Sequence, residues 1–194
     1  MRIERKPWWR RPNAALLAAV GVALLVWGYP WLAHPFLLVR LARAPPPARL
    51  PVPIAGVARA ELADTWGAPR GEGRRHEGID IFAPRGTPVR STTAGIVLRQ
   101  GWNRLGGRRV LVLGPGGLCH YYAHLEGYAG LAVGDPVAAG DVLGYVGNSG
   151  DAANTPTHLH YGLYTFAGRA VNPFPFLGPV GSAGGRPGLR QPER

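Results

Sequence analysis

Apolar residues follow two different rhythms along this chain. Residues 12–39 contain no Lys, Arg, Asp or Glu, and the densest part, 14–33, is almost continuously apolar. Beyond Val57 the apolar residues come instead in short β-type runs cut by glycine turns. Candidate strands are 78–82, 88–99, 109–113, 118–124, 142–146 and 158–164. Gly114-Pro115-Gly116-Gly117 separates two of these runs and predicts a hairpin. Convincing amphipathic helices are absent from this part. Six or more short strands with tight turns predict an all-β domain, an antiparallel sandwich or open barrel.

The first rhythm predicts a membrane segment. Its length matches the roughly 20 residues that span a bilayer. Arg2, Arg5, Lys6, Arg10 and Arg11 precede it and Arg40, Arg43 and Arg49 follow. The surplus before the run favours a cytoplasmic N-terminus with the bulk of the chain outside. Trp8, Trp9, Trp27, Tyr29 and Trp31 lie near the two ends, where aromatic rings suit the interface. A cleaved signal peptide competes, but its apolar core would be shorter, about 7–15 residues. The nearest small-x-small triplet, Ala42-Arg43-Ala44, lies beyond Arg40. A buried soluble helix would be interrupted by Pro30 and Pro35. The favoured division is a cytoplasmic stub with a transmembrane anchor (1–43), a stiff Pro-rich linker (44–56), a β domain (57–177) and a disordered tail (178–194). This predicts a single-pass membrane protein with its domain on the extracytoplasmic side.

Charge refines the picture. The formal net charge is +11, yet residues 1–50 hold eight basic and one acidic residue against fourteen and ten in the rest. The excess flanks the apolar run, and the main domain is only mildly basic. A nucleic-acid groove would place that excess in the fold, so nucleic acid is not an expected partner. Mild basicity suits an anionic cell-wall polymer or membrane surface. The single cysteine, Cys119, allows neither an intrachain disulfide nor a cysteine metal cluster.

The chemistry-bearing residues are His76 and Asp80, in the segment His-Glu-Gly-Ile-Asp, and His158 and His160, in Thr-His-Leu-His. Two imidazoles and one carboxylate that converge make a tripodal site for a divalent metal such as zinc. Three protein ligands leave a fourth position for water, which distinguishes a catalytic site from a closed structural one. His158 and His160 are two apart, so on a strand they project together. By the same alternation His120, Tyr122 and His124 share a face. His76 and Asp80 are four apart, a helical spacing, but Gly78 and the β-type run after it favour a loop entering a strand. Thr157 and Asn148 are candidates to hydrogen-bond the ligands from behind. Tyr122 and Tyr161 are candidates for the cleft wall or for the core, and His120 for an exposed or supporting position. Glu77 reads as a solvated loop residue, and His34, inside the apolar run, as structural.

This set of motifs resembles the M23 family of zinc metallopeptidases, the lysostaphin- and LytM-like peptidoglycan endopeptidases. The resemblance covers roughly 66–164. It rests on H-x-x-x-D (His76, Asp80), Tyr122-Ala123-His124-Leu125 and H-x-H (His158, His160). Similar intervening text includes Gly86-Thr87-Pro88-Val89, Gly140-Asp141-Val142-Leu143-Gly144 and Gly147-Asn148-Ser149-Gly150. It implies a LytM-type β fold, with His76, Asp80 and His160 as ligands of one zinc ion. It implies that His124 and His158 orient and deprotonate the attacking water and stabilise the developing oxyanion. The implied activity is hydrolysis of peptide stems or cross-links of bacterial peptidoglycan.

Two other classes compete. One is a non-catalytic wall-binding or regulatory module on the same fold; such members typically lack one or more ligands, whereas all five residues stand here. The other is a biotinyl or lipoyl carrier domain, suggested by Ala94-Gly95-Ile96-Val97 followed by Gly140-Asp141-Val142-Leu143-Gly144. A carrier needs an attachment lysine, and the only lysine of the chain is Lys6, so composition excludes it.

Overall fold

The computed structural model describes residues 35–179. Nine strands run through this part: β1 (Ile79–Phe82), β2 (Pro88–Arg90), β3 (Gly95–Asn103), β4 (Gly107–Leu113), β5 (Leu118–Tyr128), β6 (Pro136–Val137), β7 (Val142–Val146), β8 (His158–Thr165) and β9 (Ala170–Val171). All pairings between them are antiparallel. The main path is β1-β8-β5-β4-β3-β6, with β9 on β8 and with β7 bridging β5 to β2. The expected antiparallel β architecture is therefore the observed one.

Most strands begin within two residues of their predicted starts. The expected strand 88–99 is instead two, β2 and β3, and the break has a visible cause. Ser91 Oγ donates to the Thr93 carbonyl (2.7 Å), bending the chain inward. Thr92 Oγ1 then meets the hydroxyls of Tyr122 (2.8 Å) and Tyr161 (2.9 Å) and Nδ1 of His120 (2.8 Å). Hydrogen-bonding geometry that depends on three distant residues leaves no mark in local periodicity. Strand β5 runs four residues past its expected end by changing neighbours. Its first part pairs with β8 as far as Ala123, and its last part, Leu125 to Tyr128, pairs with β7. The sheet thereby branches at His124, and the β2–β7 arm contributes Val89, Leu143 and Val146 to the same core as Val97, Val112 and Leu163.

The packed body also reaches further upstream than the boundary at Val57. Leu50 and Ile54, in the segment read as a linker, are each 1% exposed and belong to the core. Leu50 is tied by backbone bonds to Phe176 (2.8 Å) and Gly178 (3.0 Å), and Ile54 bridges to Val89. Burying each such side chain is worth about 1.5–3 kcal/mol, enough to hold an extended Pro-rich segment against the domain. Upstream of it, helix α1 (Pro35–Arg43) buries Leu41 but leaves Phe36 and Val39 exposed. Among the described residues, no helix is long and apolar enough to cross a membrane. The expected span at 14–33 lies outside them, as do His34 and the tail beyond residue 179.

Candidate metal centre

The site is built on one face of the sheet, where β1, β8 and β5 lie side by side. Asp80 pairs with His160 across β1 and β8, and His160 with Ala123 across β8 and β5. Strand alternation places His158 and His160 on the same side as Asp80, away from Leu159 and Tyr161, both fully buried in the core. His76 stands in the loop before β1 and is itself buried. Gly78 makes this approach possible. A Cβ there would lie 2.6 Å from the Tyr161 carbonyl oxygen and 2.7 Å from Cε1 of His160.

Three donor atoms converge as a result. His76 Nε2 lies 2.8 Å from His160 Nδ1, and Asp80 Oδ1 lies 3.1 Å from the first and 3.2 Å from the second. A tetrahedral ion with bonds of about 2.0–2.1 Å separates its donors by about 3.3 Å, so the triangle fits a small divalent cation. Together these three residues form a group that could hold a metal ion. The surroundings also orient them. His76 Nδ1 lies 2.8 Å from the Thr65 carbonyl, which makes Nδ1–H the donor and leaves the Nε2 lone pair facing the centre. Asp80 Oδ2 is paired with Arg70, so only Oδ1 faces the two imidazoles. Burial raises the Asp80 pKa, but hydrogen bonds from His160, His76 and Arg70 outweigh it and hold the carboxylate well below its ordinary range. Burial holds the His160 imidazole below its ordinary value despite Asp80.

The other two imidazoles close the opposite side. His158 Nδ1 donates to the Pro156 carbonyl (2.8 Å), and its Nε2 lies 3.8 Å from Asp80 Oδ1. His124 Nδ1 donates to the Ser149 carbonyl (2.8 Å). The rings of His124 and His158 are 5.0 Å apart, and those of His124 and His160 5.8 Å. Both therefore present an Nε2 lone pair to the same space, which suits proton acceptance. Burial pushes the His124 pKa down to about 4, so this imidazole is neutral at physiological pH.

His124 does not lie where alternation predicts. His120 and Tyr122 point into the core, both fully buried, and His124 should follow them. It is instead the one non-glycine residue with positive φ (61°) among those described, and this turns its side chain over to the metal-centre face. The reversal coincides with the change of partner in β5, a position where a strand irregularity re-aims a side chain. His120 likewise is not exposed: it belongs to the buried Thr92–Tyr122–Tyr161 cluster. Thr157 donates to the Ala83 carbonyl (2.8 Å), and Asn148 accepts from Arg85 (2.6 Å) and donates to the Ala153 carbonyl (3.0 Å), so neither supports the ligands directly.

A cleft of 390 Å³ opens over the centre, and several of its walls carried no motif. Tyr121 and Tyr164, rather than Tyr122 and Tyr161, face it. Burial raises both phenols above their ordinary range, so their hydroxyls stay protonated. Arg74 and Asp151 form an ion pair (3.6 Å) at its rim, and Asp151 also approaches His124 Nε2 (4.0 Å). Alternation relative to His160 on β8 was the available signal for Tyr164, whereas on β5 the regular alternation that grouped Tyr122 with His124 pointed Tyr121 away from the site. Arg70, Arg74 and Asp151 come from irregular segments and had none.

Comparison with known proteins places this arrangement in a family. The L-Ala–D-Glu endopeptidase of Bacillus subtilis (strain 168) is 47% identical over 124 residues, which is 58% of this chain and 38% of that protein. The chain thus spans well under half the length of this curated relative. The catalytic domain of lysostaphin from Staphylococcus simulans superimposes with a TM-score of 0.54 at 30% identity, covering 61% of this chain and 93% of that domain. Csd3 of Helicobacter pylori does so with a TM-score of 0.55 at 26% identity, covering 69% and 34%. The sequence profile described as "Peptidase family M23" matches residues 74–173, which include all five site residues, and the chain belongs to that family.

Proposed function

We propose that this protein is a zinc-dependent endopeptidase that hydrolyses peptide stems or cross-links of bacterial peptidoglycan. The observation that carries the reading is the convergence of His76 Nε2, Asp80 Oδ1 and His160 Nδ1 beneath two further imidazoles whose Nε2 lone pairs are free. Relatives named for cutting L-Ala–D-Glu and glycyl-glycine bonds support the substrate class.

His76, Asp80 and His160 would hold the zinc. When bound, zinc polarises the scissile carbonyl and lowers the pKa of water toward neutrality. The remaining work falls to the chain. Nε2 of His124 or His158 accepts the proton of the attacking water, because each Nδ1–H is already committed to a carbonyl. Once protonated, the same Nε2–H donates to the oxyanion or returns the proton to the leaving amine. Neutral histidines suit this role, since a charged imidazole has no lone pair to offer. Positioned proton transfer of this kind contributes about 10²–10⁴ in rate.

The N-terminal apolar run completes the proposal: it anchors the protein in the bacterial cytoplasmic membrane, with the peptidase domain outside. Support comes from its charge-free length and flanking arginines, and from Phe36 and Val39 left exposed on α1 beside it.

The deciding experiment incubates the full chain, with its zinc content measured, with purified sacculi and follows released fragments by mass spectrometry. Release abolished by chelator and by His124→Ala and His160→Ala is the expected result, and fragment masses identify the bond. Sacculus binding without release from several wall types would instead support a non-catalytic wall-binding module.

A further inference from the structure

The cleft over the metal centre does not end at Tyr121 and Tyr164. The same two side chains also form one wall of a second hollow, of 400 Å³, further along the same face of the sheet. Their rings pack edge to face (centroids 6.0 Å apart) and divide the two spaces like a low ridge. The second hollow is within the size range of small-ligand sites. Tyr164 and Cys119, which pair across β8 and β5, lie four residues along from His160, so the body of the hollow sits about 13 Å along the strand, roughly four extended residues away.

Its chemistry differs from that of the first. Arg99 and Arg109 line it, Phe166 stands exposed at its edge, and no carboxylate is among its lining residues. The backbone register delivers both guanidiniums to this face. Leu111 pairs with Tyr121, so Leu111 and Arg109 share the face of Tyr121. The register shift between Val97 and Arg99 sets Arg99 opposite Leu111, which returns it to that face. Moreover, Arg109 Nε is buried and has no hydrogen-bond partner. That inaccessible Nε cannot meet a ligand itself, but two guanidiniums on the wall of a carboxylate-free hollow present their outer N–H groups to an acceptor. Arginine pairs best with a carboxylate, through parallel N–H···O bonds.

We propose that this hollow is a distal subsite of the substrate groove, in which Arg99 and Arg109 bind a carboxylate carried by the peptide about four residues from the scissile bond. The inference rests on the peptidase reading of the first cleft. Continuity across the tyrosine ridge favours a peptide carboxylate over a phosphate of another polymer.

The test uses the full chain and two pairs of dye-labelled peptides built on an L-Ala–D-Glu bond. Within a pair they are identical except for glutamate or glutamine four residues from that bond, placed on opposite sides in the two pairs. Fluorescence anisotropy reads binding, and product formation is followed in parallel. The glutamate peptide of one pair should bind about tenfold more tightly than its glutamine twin. Arg99→Gln, Arg109→Lys and the Arg99→Gln/Arg109→Gln double variant should shrink that ratio, the double variant to near one. Arg99 is exposed, so its variant reports even where a change at Arg109 impairs folding. Equal binding of both peptides in every pair, or a ratio unchanged in the variants, would overturn the subsite. Inorganic phosphate competing at matched ionic strength as strongly as the glutamate peptide would also overturn it. A preserved charge preference without cleavage of any peptide would support the subsite and remove L-Ala–D-Glu as the bond cut, leaving the peptidase reading to the sacculus assay.

Discussion

The Nδ1 of His124 lies 2.8 Å from the carbonyl oxygen of Ser149, and the backbone of His124 is held in the left-handed region at φ 61°. The two facts belong together. The positive φ carries the imidazole from the core face to the metal centre, and the Ser149 carbonyl then selects its tautomer. Ser149 is itself fastened, its Oγ donating to the Leu125 carbonyl (2.8 Å) and accepting from the Arg108 N–H (2.9 Å). A left-handed non-glycine residue costs about 1–2 kcal/mol. Strain of this kind at a functional position persists only where the surroundings enforce it.

This predicts a separation of stability from activity. His124→Gly should be more stable than His124→Ala by about 1 kcal/mol, because only glycine adopts this φ without penalty. Both should lose about 10²–10⁴ in kcat. Denaturant midpoints and sacculus turnover measure the two. An alanine variant as stable as the glycine variant would refute the strain.

Arg70 should influence both the metal and the stability of the site around Asp80. Its guanidinium occupies Asp80 Oδ2 at the edge of the cleft, leaving Oδ1 for the centre. Arg70→Gln is expected to weaken zinc binding about 10–100-fold, the usual range for a group that orients a ligand. Competition against a chromophoric chelator measures this directly. Asp80 is only 9% exposed, so the variant also leaves a largely buried carboxylate with one partner fewer, and the thermal midpoint of the metal-free protein should fall. Unchanged zinc affinity would reduce the pair to a surface contact.

Gly78 should tolerate no side chain. Its position between the ligands is set by contacts of 2.6 Å to the Tyr161 carbonyl oxygen and 2.7 Å to the His160 ring that an added Cβ would meet. Backbone cannot yield cheaply, so Gly78→Ala should displace His160 and cost about 1–3 kcal/mol of stability. Zinc titration and chemical denaturation should both register the change. Wild-type zinc affinity in this variant would show that the loop relaxes instead.

Acid sensitivity should trace in part to His120. Burial pushes its pKa down to about 3 from an ordinary 6.5, and its ring is completely inaccessible. Protonation is thus easier in the unfolded chain. The stabilisation is present in full above pH 6.5 and is lost as pH falls toward 3. At pH 5 the loss is roughly 2 kcal/mol. Its packed neighbours Tyr122, Tyr161 and Thr92 do not ionise in this range. His120→Gln should be less stable at neutral pH but show a shallower decline between pH 6.5 and 4, measured by urea denaturation without metal. An identical slope in both proteins would remove His120 from the account.

The chain alone determined the things that depend on neighbours in sequence. Alternation on β8 placed His158 and His160 together and turned Leu159 to the core. Glycine turns and short apolar runs disclosed an antiparallel β domain, and the motifs holding His76, Asp80, His124, His158 and His160 carried the resemblance to the family. Tertiary structure decided what depends on contacts between distant segments. It split residues 88–99 so that Thr92 could meet His120, Tyr122 and Tyr161, and it drew Leu50 and Ile54 into the core. It turned His124 to the opposite face where β5 exchanges β8 for β7. It also exchanged the tyrosines, burying Tyr122 and Tyr161 and giving Tyr121 and Tyr164 to the cleft. Local periodicity records which side of a strand a residue would occupy if the strand were regular. A bulge, a change of partner or a distant hydrogen bond reverses that side, and its energy resides in residues far away along the chain.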